Sequence, residues 1–101
     1  MEYGKNKWKT KRNKILRKDK YKDVLVQRYG KTIEATIVHH IYPAEDYPEY
    51  AYCDWNLISV SAATHNKLHI RGSHELSEEG LRLMRRTTPG IGWRNKHGTK
   101  A

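Results

Sequence analysis

The stretch Thr32–Pro43, TIEATIVHHIYP, decides how the rest of the chain is read. Ile33, Ala35 and Ile37 alternate with Thr32, Glu34 and Thr36, the pattern of a strand with one buried face. The strand runs directly into His39 and His40, and Pro43 then breaks regular structure. In an extended chain consecutive side chains point to opposite sides, so the two histidines do not easily bind one ion together. One can ligate while the other stays free as a base. A neutral imidazole, with an unperturbed pKa of about 6.5, is suited to taking a proton from water at neutral pH.

Upstream of this strand, Val24-Leu25-Val26 is another β-prone run, joined to it through Arg28-Tyr29-Gly30-Lys31. Gly30 suits a tight turn, so a hairpin is expected here. Residues 1–22 form a basic arm containing Lys5, Lys7, Lys9, Lys11, Arg12, Lys14, Arg17, Lys18, Lys20 and Lys22. Trp8, Ile15 and Leu16 recur in it at near-helical spacing, which predicts an amphipathic helix with a thin apolar stripe.

Downstream, residues 41–55 carry Pro43, Pro48, Glu45, Asp46, Glu49 and Asp54 without one Lys or Arg. A loop this long in a small domain is usually functional or disordered, and Tyr42, Tyr47, Tyr50, Tyr52 and Trp55 argue that it packs onto something. Asn56–Val60 reads as a short second strand. Ser61 then opens a helix running to Arg71 and closed by Gly72. A further helix is expected over Ser77–Arg86, where Ser77 with Glu79 and Gly80 makes an imperfect capping box and Leu81, Leu83 and Met84 give an apolar side. Residues 87–101 read as a loose tail, in which Trp93 either stacks on a base or closes a small core.

The chain is short enough, at 101 residues, for one domain with a modest core. Within it we expect a basic N-terminal arm or helix (1–22), a central domain (23–86) and a basic tail (87–101). Twenty Lys and Arg against eleven Asp and Glu give a net charge of +9, with a pI near 9.8. That is the electrostatic footprint of a nucleic-acid binder; the other uses of such charge are solubility or a membrane surface. Cys53 is the lone cysteine, which excludes an intramolecular disulfide and reads as intracellular, hence cytoplasmic. No run approaches the roughly 18 apolar residues of a membrane span, so no membrane partner is expected.

The chemistry gathers in a fixed order: strand, His-His, loop, Asn-bearing strand, then a helix with two more histidines. His65 and His69 are four residues apart and share a face of that expected helix. Together with a histidine from the adjacent strand they form a three-nitrogen set that leaves a coordination position open for a phosphate or water.

Three blocks, Val38-His39-His40-Ile41-Tyr42-Pro43, Trp55-Asn56-Leu57-Ile58-Ser59 and Thr64-His65-Asn66-Lys67-Leu68-His69, resemble the HNH endonucleases, especially small phage-type members. The resemblance covers residues 33–71 well and the N-terminal arm weakly. It implies an α+β fold: a ββα-metal (His-Me finger) core with flanking N- and C-terminal helices. It also implies a metal-dependent endonuclease that hydrolyses DNA phosphodiester bonds, by nicking or double-strand cleavage, and leaves 5′-phosphate and 3′-hydroxyl ends. Under it, His39, His65 and His69 would be metal ligands. His40 would be the general base on water, and Asn56 would fix the loop and orient that base. One divalent ion is implied; nitrogen donors favour Zn²⁺, Ni²⁺ or Mn²⁺ over Mg²⁺, though Mg²⁺ can also support turnover.

By family company the partners are DNA and phage packaging proteins, and the setting is the host cytoplasm if the chain is phage-encoded. Many phage-type members hold a structural zinc with two Cys-x-x-Cys pairs. Here Asp23, Val26, Ser61 and Thr64 stand at those positions, so no zinc knuckle is expected. Arg71, Arg94 and Lys67 are candidates for general phosphate contacts, whereas His74 and His97 read as ordinary polar residues. The alternatives are a non-catalytic DNA-binding module retaining the ββα-metal fold, or a domain in which three histidines merely staple the structure with zinc.

Overall fold

A computed structural model describes residues 5–93 of the chain. The order is α1 (Lys5–Lys18), α2 (Val24–Gln27), β1 (Ile37–His40), β2 (Leu57–Val60), α3 (Ala62–Leu68) and α4 (Glu78–Arg85). Two short 3₁₀ turns, Pro48–Tyr50 and Asp54–Asn56, shape the connection between the strands. β1 and β2 pair antiparallel with Ile37 opposite Val60 and His40 opposite Leu57. With α3 following β2, this is the expected α+β architecture with a ββα centre.

The short sheet is covered on both faces, so its strands are more continuously buried than a half-exposed hairpin. On one face Val38 and Leu57 pack with Ile15 and Leu16 of α1, with Trp8 lying against that cluster. On the other, Ile58 and Val60 join Val24, Ile41, Leu68, Leu83 and Trp93, and Ile37 packs against them. Each fully buried aliphatic side chain contributes about 1.5–3 kcal/mol, so these two clusters supply much of what a small domain has. Trp93, 5% exposed, closes the core, with the Arg28 guanidinium 5.4 Å from its ring centre.

Two local expectations are corrected. Val24–Gln27 is a helical turn and not the first strand of a hairpin. Asp23 accounts for this: its carboxylate accepts from the amides of Leu25 at 3.0 Å and Val26 at 3.1 Å, capping a helix that the β-branched valines would not choose alone. Gly30, at φ +84°, reverses the chain after that turn. Residues 32–36 make only an isolated bridge, Lys22 with Glu34, and the strand proper begins at Ile37.

The helix after β2 is also shorter than expected. Ser61 caps it by accepting from the Thr64 amide, but it ends at Leu68, leaving His69 extended at φ −125°, ψ 155°. Ser77 draws the chain back, its hydroxyl donating to the Lys67 carbonyl and its amide to that of Leu68. Gly72, at φ +77°, lies in the turn between them and is not a helix cap. The next helix forms as expected, with Ser77 as its N-cap.

The long connection between the strands packs largely on itself. Tyr42 makes edge contacts with Tyr47, Tyr50 and Trp55, and its hydroxyl donates to the Thr87 carbonyl at 2.9 Å. Among the described residues no helix is long and apolar enough to cross a membrane.

Candidate active site

The alternation of β1 sends its last two side chains to different faces of the sheet. His39 shares a face with Ile37 and points toward α3; His40 shares the other with Val38 and points toward α1. His39 is 2% exposed, and its ring centre lies 5.5 Å from that of His65 and 5.2 Å from that of His69. His65 and His69 are 4.6 Å apart by the same measure. One ring nitrogen from each of the three falls within 4.8 Å of the others. His69 reaches this cluster from the extended residue just past α3, not from a shared helix face.

The donor set fits a metal. Nε2 of His39 is buried with no hydrogen-bond partner among the described residues, a condition that costs about 1–3 kcal/mol for a typical polar group. The ring nitrogen of His69 that carries the proton is also identifiable: Nδ1 donates to the His74 carbonyl at 3.0 Å, which leaves the Nε2 lone pair for coordination. Burial, reinforced by the neighbouring His69, His65 and His40, pushes His39 down to about 3. Burial and then His69 also lower His65. Both rings are therefore neutral at pH 7, the state a metal ligand requires.

His40 is held differently. Its Nε2 lies 3.1 Å from the Ala51 carbonyl. A carbonyl only accepts, so Nε2 carries the proton and Nδ1 keeps its lone pair. Burial lowers its pKa and the Ala51 bond partly opposes that. The imidazole is thus neutral at pH 7, with one nitrogen able to accept a proton. Trp8 stacks on the ring, with centres 4.9 Å apart and planes inclined by 25°.

Asn56 is fully buried and ties the loop into a fixed path. Its Oδ1 accepts from the Tyr42 amide at 2.7 Å, and its Nδ2 donates to the carbonyls of Tyr42 at 3.0 Å and Tyr50 at 3.1 Å. Tyr50 immediately precedes Ala51, so this amide also bears on the carbonyl that holds His40.

His39, His40, His65 and His69 border one cleft of about 830 Å³, with Glu45, Arg71 and His74 on its rim. Arg71 is thus beside the cluster, whereas Lys67 is exposed on α3 outside that lining. Arg94 and His97 lie outside the described residues. Sequence reasoning missed three neighbours of the site: Trp8 against His40, the Ala51 carbonyl, and the His74 carbonyl behind His69. The carbonyls leave no trace in residue type. Trp8 was legible only as part of an apolar stripe.

No family model matches the sequence, and no curated protein matches it significantly. Among solved structures the chain is similar to the HNH endonuclease of deep-sea thermophilic bacteriophage GVE2, crystallised with a manganese ion. The TM-score is 0.60 and the identity 31%, covering 63% of this chain and 70% of that one. The same ordered blocks that first suggested the likeness carry the three-histidine cluster described above. With fold, sequence and metal-binding chemistry in agreement, the chain belongs to the HNH endonuclease family.

Proposed function

We propose that the protein is a metal-dependent DNA endonuclease in which His40 is the general base on water and His39, His65 and His69 hold one divalent ion. The observation that supports this reading is that the two adjacent histidines point to opposite faces of the sheet and meet different partners. His39 faces His65 and His69 with its own Nε2 unpartnered among the described residues, while His40 is tautomerically fixed by Ala51. Both border the same cleft.

In this mechanism His40 accepts a proton from water through Nδ1 as the oxygen attacks phosphorus, and the imidazolium is stabilised by the hydrogen bond to Ala51. As the bond from phosphorus to the 3′ oxygen breaks, that oxygen leaves and takes a proton from solvent; His39, His65 and His69 would hold a divalent ion whose positive charge would offset the charge building up in this step. Asn56 takes no proton; it holds the loop whose Ala51 carbonyl orients the base. Exposed Lys9, Lys14, Arg17 and Lys18 on α1 give the helix a basic outer face for the phosphate backbone, and Arg71 reaches the cleft from its rim. The nitrogen-only donor set suits Mn²⁺, Ni²⁺ or Zn²⁺.

Supercoiled plasmid incubated with the purified protein and Mn²⁺ or Ni²⁺ tests the reading. The parent is expected to convert it to nicked or linear forms. His40→Ala should retain metal and fold but lose cleavage, whereas His39→Ala should lose metal. His40→Ala cleaving like the parent refutes the mechanism, and DNA binding without cleavage by the parent identifies a non-catalytic module.

A further inference from the structure

We propose that Trp8, on the N-terminal helix, is a positioning residue that holds the imidazole plane of His40. The inference rests on the reading of His40 as the base. Among the described residues the His40 ring is held by the hydrogen bond from Nε2 to the Ala51 carbonyl, which fixes one atom but lets the plane tilt about that contact. The indole supplies the missing constraint by lying against the ring face, with centres 4.9 Å apart and planes 25° from parallel. The imidazole is thereby pinned at an edge by the loop and across a face by α1.

Trp8 is itself held. Its ring meets Tyr52 edge-on at 6.1 Å, and it packs against the buried cluster containing Ile15, Leu16 and Val38. Lys7 places its ammonium 4.6 Å from the centre of the Tyr52 ring, and Lys11, one turn beyond Trp8, pairs with Asp54. Positions 7, 8 and 11 of the helix thus grip the segment 52–54 that follows Ala51. One rigid element sets both the stacking face and the chain bearing the orienting carbonyl. Small displacements of a reacting group carry large rate penalties, on the order of 100-fold for about 1 Å. Loss of the stack is therefore read in turnover and not in substrate affinity.

The test compares the parent with Trp8→Leu, Trp8→Phe and His40→Ala, measuring kcat and KM on a labelled DNA duplex with Mn²⁺ and following folding by circular dichroism. Trp8→Leu keeps apolar bulk but loses the planar face. It is expected to lower kcat by about 10- to 100-fold with KM nearly unchanged, and Trp8→Phe should restore most of the loss. Parent-like kcat in folded Trp8→Leu, with His40→Ala inactive, overturns the role of Trp8 and leaves His40 as the base. A raised KM at unchanged kcat also overturns it, making Trp8 part of the DNA grip. An active His40→Ala instead sinks the reading on which the inference rests. Should the Trp8 variants not fold, proton NMR of the parent decides. The stack requires His40 ring protons displaced upfield by the indole ring current, and resonances at unperturbed positions refute it.

Discussion

Replacing Asp23 with alanine removes the acceptor around which the N-terminal half of the domain is organised. The side chain is fully buried. One oxygen accepts from the amides of Leu25 and Val26; the other accepts from the Ser61 amide at 2.9 Å, across to the start of α3. The Thr64 hydroxyl adds a further bond. Truncation leaves three backbone N–H groups without their acceptor, each costing about 1–3 kcal/mol when water cannot replace it. Taking the lower end for each gives roughly 3 kcal/mol, a large share of the 5–15 kcal/mol typical of a domain. At about 4–8 °C per kcal/mol for a chain of this size, Tm should fall by roughly 12–24 °C. Thermal melts by circular dichroism at pH 7 measure it.

The same carboxylate has a second signature. Burial works to raise its pKa, but the bonds from Thr64, Ser61 and Val26 outweigh it and hold the group below its ordinary value of 3.8. The folded state therefore binds this proton less readily than the unfolded chain. The resulting stability is fully present above pH 3.8 and is lost as pH falls through the lower folded value. Asp23→Asn, which keeps the shape but not the charge, should consequently differ from the parent at pH 7 and converge on it in acid. A melt of Asp23→Ala within a few degrees of the parent, or a gap to Asp23→Asn that persists in strong acid, refutes the reasoning.

Three other outcomes are expected. Gly80→Ala, which by helix propensity alone should stabilise α4 by about 1 kcal/mol, should instead lower Tm, because the added Cβ would lie 2.2 Å from the Leu68 carbonyl oxygen; a stabilised variant in a thermal melt contradicts that packing. Saturating Mn²⁺ or Zn²⁺ should raise Tm through His39, His65 and His69, by an amount equivalent to about 2.7 kcal/mol at 100 times Kd, and a chelator should reverse it; His39→Ala should show little of this shift. In metal-free protein His39 ionises only near pH 3 when folded but near 6.5 when unfolded, so its contribution is complete above about pH 6.5 and declines as pH falls toward 3. Acid titration of Tm should therefore be shallower for His39→Ala than for the parent, and equal slopes would argue against a buried neutral His39.

The sequence by itself determined the order of the central elements and the local chemistry of each block. Extended alternation at His39 and His40 already implied opposite faces, Ser61 and Ser77 announced two helix starts, and a tyrosine-rich loop announced its own packing. These are short-range properties, set by backbone period and capping, and they survive without knowledge of neighbours. Tertiary structure decided the rest. Val24–Gln27 became helical because Asp23 caps it while also binding Ser61, a contact across 38 positions that overrides the β preference of valine. His69 left the helix because Ser77 takes up the carbonyls of Lys67 and Leu68. His40 acquired its tautomer from Ala51 and its stacking partner from Trp8, both chosen by how the loop and α1 fold over β1. Residue types state which groups can donate, accept or ligate; only the packed chain decides which of them meet, because meeting depends on contacts that no local period encodes.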